Sequence, residues 1–240
     1  MLELKPERLG IEDFRVQPIS ICGKRFEADM SGALYWPAEK ALIVADLHLE
    51  KGSAYAARGQ MLPPYDTRET LRRLAETVDR TGATAIIALG DSLHDPGAAD
   101  RLAPEDRETI AIIQEACEWI WITGNHDPDI AASLGGHVFR QVTLEGITLR
   151  HEPSPGGSTH EIAGHLHPAA RLSLHGYTLR RPCFVGNGRR LVMPAFGSYA
   201  GGLNILDPAF ETLFGNDGMA VWMLGQEGLY PVATRLLRED

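Results

Sequence analysis

The chain has 240 residues, 44% hydrophobic and 23% charged, an ordinary balance for a globular protein and enough apolar surface to form a core without disulfide staples. Its formal charge of −9 excludes a protein that holds nucleic acid by bulk electrostatic attraction, though not one with a local cationic site. Three scattered cysteines (Cys22, Cys117, Cys183), an opening MLELKPERLG without an apolar signal core, and no run near the roughly 20 apolar residues that span a bilayer predict a cytoplasmic protein without membrane contact.

No repeat or linker rich in Gly, Ser or Pro divides the chain, so a single domain over 1–240 is expected. Along the first half, strand and helix alternate. The apolar run 41–45 reads as a buried strand ending at Asp46, followed by a loop from Lys51 to Tyr65. A helix capped by Asp66 follows, with Leu71, Leu74, Ala75 and Val78 on one face. Ala85 to Leu89 is a second buried strand, stopping at Gly90-Asp91, and a second helix starts near Pro104. Trp119 to Ile122 is a third strand, stopping at Gly124-Asn125-His126-Asp127. Such alternation implies βαβ units. Beyond residue 136, close turns at Glu145-Gly146, Pro155-Gly156 and Gly186-Asn187-Gly188 predict a mainly antiparallel half with little helix.

The strand ends carry the chemistry. They deliver Asp46-x-His48, Asp91, Asn125-His126, His151 after Ile147 to Arg150, and His165-x-His167 toward one rim, where open α/β sheets bind ligands. In an extended segment residues i and i+2 face the same way, so Asp46 with His48, and His165 with His167, are expected to reach one site. Glycines 90, 124 and 164 permit tight turns and close approach. A lone Asp at a strand end is ordinarily a turn residue. The whole set in this order is hard to explain that way.

Mixed imidazole and carboxylate donors suit Mn, Fe, Zn or Ni better than Mg or Ca. Seven donors exceed one site but suit two divalent ions sharing a carboxylate, which can grip both oxygens of an in-line displacement at phosphorus. Such a centre stays cationic after Asp46, Asp91 and a bridging hydroxide are counted, so an anionic phosphate is its natural guest.

The ordered set Asp46-x-His48, Gly90-Asp91, Gly124-Asn125-His126, His151 and Gly164-His165-x-His167 resembles the calcineurin-like metallophosphoesterase superfamily over residues 40 to 170. The resemblance implies a four-layer αββα sandwich of two mixed sheets flanked by helices. It implies that Asp46, His48, Asp91 and His167 hold one metal, and that Asp91, as the bridge, holds the other with Asn125, His151 and His165. Manganese is expected first. His126 matches the histidine that serves such enzymes as general acid or phosphate contact, oriented by Asp127; the alternative is that it only buttresses Asn125. Glu50-Lys51-Gly52-Ser53, Arg58-Gly59, Leu62 to Thr67 and Pro194 to Asn204 are similar to a narrower branch, the bacterial ligase-associated DNA-damage-response endonucleases. That likeness implies a DNA phosphodiesterase in functional association with a DNA ligase and helicase.

Read by themselves, Lys51 and Arg58 suit phosphate and Tyr65 suits stacking on a base. Arg180, Arg181, Arg189 and Arg190 flank one turn and suggest a basic hairpin on a nucleic-acid backbone. His94 and Asp95 are expected to support the metal residues or to lie at the rim. His137, His160 and His175 receive no role. Two other functions use the same residues differently: a nucleotide or phosphoprotein phosphatase, and a catalytically inactive scaffold.

Overall fold

In the computed structural model, residues 14–60, 62–126, 134–156, 160–174 and 177–240 are described. The first sheet runs β1 (Val16–Ile21), β2 (Lys24–Asp29), β3 (Leu34–Trp36), β4 (Ala41–Val44), β5 (Ala85–Leu89), β6 (Glu118–Ile122) and β7 (His137–Phe139), in that order. β1 to β4 pair antiparallel and β4 to β7 parallel. The crossovers carry α1 (Lys51–Ala57), α2 (Asp66–Thr81), α3 (Ala98–Arg101) and α4 (Pro104–Ala116).

The second sheet holds β8 (Gln141–Leu144), β9 (Ile147–Arg150), β10 (Glu161–Ala163), β11 (Pro168–Leu174), β12 (Tyr177–Gly186), β13 (Arg190–Val192), β14 (Leu203–Asn204), β15 (Ala220–Leu224) and β16 (Leu229–Val232). A short helix, α5 (Pro208–Phe214), is capped by Asp207, whose side chain accepts from the Ala209 N–H.

Three apolar layers separate these elements, and the strand sequences explain why. A strand buried on both faces must be apolar at every position. In β5, Ile86 and Ala88 pack with Leu71, Leu74 and Val78 of α2 and Ile110 and Ile113 of α4. Their alternates, Ile87 and Leu89, pack between the sheets against Ile162, Phe184 and Leu191. Beyond the second sheet, Cys183, Val185 and Val192 cover Phe210, Leu213 and Phe214 of α5. The order is therefore helices, sheet, sheet, helix, as the resemblance implies. Among the described residues no helix is long and apolar enough to cross a membrane.

Four local expectations are corrected. The stretch after the first metal motif is not all loop, because Lys51–Ala57 is helical. Asp66 is the first residue of α2 and does not cap it; its buried carboxylate accepts from the Gly52 N–H at 2.9 Å. The β1–β3 meander precedes the alternating half. Its first hairpin turns on Cys22-Gly23, both at positive φ (53° and 74°), a geometry usually signalled by Asn-Gly. The second half is mixed, since β10 runs parallel to both β9 and β13. That parallelism matters: it sends the segments following β9 and β10 to the same edge, carrying His151 and His165.

Candidate metal centre

β4 and β5 end as regular strands at Val44 and Leu89, yet their chains stay paired beyond those points. The Asp46 N–H donates to Gly90 O (3.2 Å), His48 N–H to Asp91 O (2.9 Å) and Leu49 N–H to Ser92 O (2.9 Å). The predicted extended geometry does not hold there. Asp46, His48, Asp91, His165 and His167 all have positive φ, at 52°, 45°, 46°, 69° and 45°. A side chain in this region costs roughly 1 kcal/mol or more, so so many in one place mark a backbone held by its surroundings. The alternation of left-handed and other residues, rather than a straight strand, brings i and i+2 to one side.

Six side chains converge in two groups, Asp46 with His48 and His167, and Asp91 with His151 and His165. Within each group the donor atoms lie within 4.8 Å of one another. In the first, His48 Nε2 is 3.2 Å from His167 Nε2, and His167 Nε2 is 3.4 Å from Asp46 Oδ1. In the second, His151 Nε2 is 3.4 Å from Asp91 Oδ1 and 3.1 Å from His165 Nδ1. The groups adjoin: the His165 N–H donates to Asp46 Oδ2 at 2.9 Å, and His151 Nδ1 lies 3.7 Å from Asp46 Oδ1. Asn125 reaches the second group, its Nδ2 3.5 Å from His165 Nδ1.

These atoms fit a cation better than they fit each other. Asp46 Oδ1 is buried without a hydrogen-bond partner. Leu89 O, which can only accept, takes the proton of His151 Nδ1 at 2.9 Å, leaving Nε2 as a free donor pair toward Asp91 and His165. A backbone carbonyl fixing the distal nitrogen is the usual support of a metal-binding imidazole. Burial, then the fields of His167, Lys51, His94 and His126, lower His48 to about 2, and burial followed by His151 lowers His165. Both stay neutral at pH 7, the form that binds a metal. Burial also opposes charge on His167, but the Asp46 carboxylate beside it and the field of Asp91 prevail and raise it.

Two glycines are required by contact. At Gly90, φ is 78° and an added Cβ would lie 2.6 Å from the His151 ring; at Gly164 it would lie 2.6 Å from Asp46 Oδ2. Gly90→Ala is therefore expected to displace His151 and lower the metal retained per chain after gel filtration. Retention equal to that of the unsubstituted chain would contradict this placement.

The two outer motifs support the centre. Phe196 N–H donates to Ala45 O (2.7 Å) and Gly197 N–H to Asp46 O (3.1 Å), which leaves no space for a side chain at 197. Ser198 shares a hydrogen bond with Thr70 (3.0 Å), and the Tyr199 hydroxyl donates to Pro63 O (2.8 Å). Thr67 Oγ1 donates to Glu50 Oε1 at 2.9 Å, locking the start of α1 to α2.

At the rim, His126 is exposed. Its N–H donates to Asp91 Oδ1 at 3.0 Å, and its ring stacks on His94 (centroids 5.7 Å, 12°). His94 thus lies beside the candidate acid, a contact no spacing rule reveals. Asp95 instead pairs with Arg101 at 2.8 Å. Asp127 and His175 lie outside the described residues, and His137 and His160 are exposed. Lys51 opens α1 close enough for its charge to act on His48, His94 and His167; burial lowers its own pKa against the pull of Asp66. Arg58 ends α1 exposed, its charge felt by His94. Tyr65 is 66% exposed, and among the described residues it makes no ring contact.

The basic hairpin is not a shared patch. Arg190 is buried against Glu161, Arg189 pairs with Asp217, and Arg180 pairs with Asp240.

Two sheets presenting paired carboxylate and imidazole groups at their loops define a metal-dependent phosphoesterase. The model of the calcineurin-like phosphoesterases matches residues 40–182, and the chain belongs to that family of hydrolases. It is similar to the Pseudomonas putida nuclease MPE at 30% identity, over 90% of this chain and 100% of that one, with a TM-score of 0.69. The E. coli phosphoesterase Yfce is 17% identical over 80% of this chain and 98% of that one, with a TM-score of 0.41. Among curated proteins, none matches.

Proposed function

We propose that this chain is a phosphodiesterase acting on nucleic acid, a DNA endonuclease linked to DNA repair, working with two divalent ions of which manganese is the first candidate. The observation that carries the reading is the pair of adjoining donor groups, Asp46 with His48 and His167, and Asp91 with His151 and His165. Asn125 completes the second group, and Asp91 is taken as the shared carboxylate, an assignment that rests on the family resemblance. Two bound divalent ions would supply Lewis acidity and an activated water at neutral pH.

The chain's own residues do the rest. Leu89 O holds His151 in the metal-binding tautomer. Asp91 Oδ1 anchors the His126 backbone, and His94 supports its ring, so that His126 meets the leaving oxygen and protonates it, with Asp127 as a further orienting group. Lys51, Arg58 and Tyr65 form the substrate side of the rim. The choice of DNA leans on the likeness to a nuclease. Functional association with a DNA ligase and helicase is part of the same reading and rests on resemblance.

The test compares bis-p-nitrophenyl phosphate with p-nitrophenyl phosphate on the manganese-loaded chain, then circular DNA, RNA and cyclic dinucleotides. Faster turnover of the diester and cutting of a circle, which has no ends, are expected. Turnover of the monoester alone would make the chain a phosphatase. Less than about one equivalent of transition metal after loading would make it a scaffold.

A further inference from the structure

A cavity of about 460 Å³ opens beside the first donor group, with His167 in its wall. This is within the size range that holds a small ligand, roughly 300–1,000 Å³, and is enough for a nucleotide-sized guest. Its lining contains three arginines, Arg73, Arg180 and Arg181, and no carboxylate, in a chain whose formal charge is −9. Arg180 is neutralised by Asp240 at 2.9 Å. The other two have no ion-pair partner among the described residues. Arg73 is fixed in place: it donates to Phe196 O, and its guanidinium sits 4.4 Å over the Phe196 ring, with Nε buried and unpartnered. Arg181 is half-buried on β12. Between them the wall is backbone and small side chains, including Gly197, Ser198, Gly201 and Gly202, so a chain can approach closely.

Two unpaired guanidiniums, one of them pre-positioned, are the ordinary means of holding a phosphate group. We propose that this cavity binds a backbone phosphate flanking the scissile diester, making the substrate a polynucleotide strand that extends past His167 toward β12. The inference rests on the phosphodiesterase reading, because it takes the cavity as the continuation of that site. It also assigns a function to Arg73, which no spacing argument singles out, and keeps Arg181 as the one member of the expected basic hairpin that has no ion-pair partner among the described residues.

The test is binding without chemistry. Anisotropy of a fluorescein-labelled oligothymidylate is followed over a salt series with the full chain in chelator. Binding that weakens with salt is expected. Arg181→Ala is expected to weaken it about tenfold at low salt and to reduce the log–log salt slope by about 0.7. Arg181→Lys keeps the charge and should restore most of the slope. Arg25→Ala removes a cation from β2, outside the cavity, and should leave the slope in place. The proposal is overturned if the unsubstituted chain shows no binding, if Arg181→Ala binds with unchanged slope, or if Arg25→Ala costs as much. Because no hydrolysis is read, these outcomes stand apart from the diester assay. A chain that cleaves diesters with an unchanged Arg181→Ala slope loses the cavity and keeps its proposed function.

Discussion

Asp91→Ala is expected to lower metal-dependent hydrolysis of an aryl phosphodiester at least about a thousandfold, equivalent to roughly 4 kcal/mol of transition-state stabilisation. Three consequences combine in the one side chain. Its Oδ1 stands 3.4 Å from His151 Nε2 and accepts the His126 N–H at 3.0 Å, so its loss empties one donor position and frees the candidate acid. Its field also reaches His165 and His167, so both groups lose negative charge that would hold a cation. Thermal unfolding in chelator separates this from misfolding, since the metal-free variant should melt near the unsubstituted chain. Ordinary turnover by Asp91→Ala, after metal stripping and readdition, would sink the shared-carboxylate account.

Glu161→Ala should be the costliest change for stability. Glu161 and Arg190 face each other on β10 and β13, 2.7 Å apart, with side chains only 1% and 2% exposed. Removing the carboxylate leaves a guanidinium buried without its charge partner and takes both acceptors from Ser154, for about 3–5 kcal/mol. In a chain of this length that lowers the melting temperature by on the order of 10 °C. The Glu161→Leu, Arg190→Met double variant should recover the part of the loss due to the unpaired buried charge, but not the part due to Ser154 and the carbonyls of Leu213, Ser154 and Gly156, which lose their partners in it as well. β10 leads directly into Gly164 and His165, so the single variant should also hold metal less well. A melting temperature within a degree or two of the unsubstituted chain would contradict the buried-pair argument.

The parts of the fold legible in the sequence were those whose signal is local. Ala41 to Val44, Ala85 to Leu89 and Trp119 to Ile122 are apolar on both faces, and the Glu145-Gly146 turn names its own hairpin. The meander was hidden because β2 offers only Phe26 and Ala28 as an alternating apolar pair, with Lys24 on the same face, and because its turn begins with a cysteine at positive φ. The parallel course of β10 was hidden because its two neighbours, β9 and β13, are set by long-range pairing and not by any residue in β10 itself.

The site divides the same way. Residue types at strand ends were enough to nominate Asp46, His48, Asp91, His151, His165 and His167, which the structure brings into two adjoining groups. The left-handed backbone that aims them was not readable, since Asp and His, though enriched at positive φ, adopt it in only a minority of positions. Partner choice was equally invisible. Arg190 and Arg181 look alike in the chain, yet one is neutralised by Glu161 and the other lines an open cavity. The Glu50-to-Ser53 and Pro194-to-Asn204 segments carried resemblance without mechanism until Thr67, Asp46 and Thr70 proved to be what they bind.

The central claim, two cations sharing one cluster, is tested most directly by an anomalous difference map from crystals grown with manganese. Two peaks are predicted about 3.5–4 Å apart. One should lie against Asp46, His48 and His167, the other against Asn125, His151 and His165, with Asp91 between them. A single peak, or a second one bound away from these residues, would contradict it.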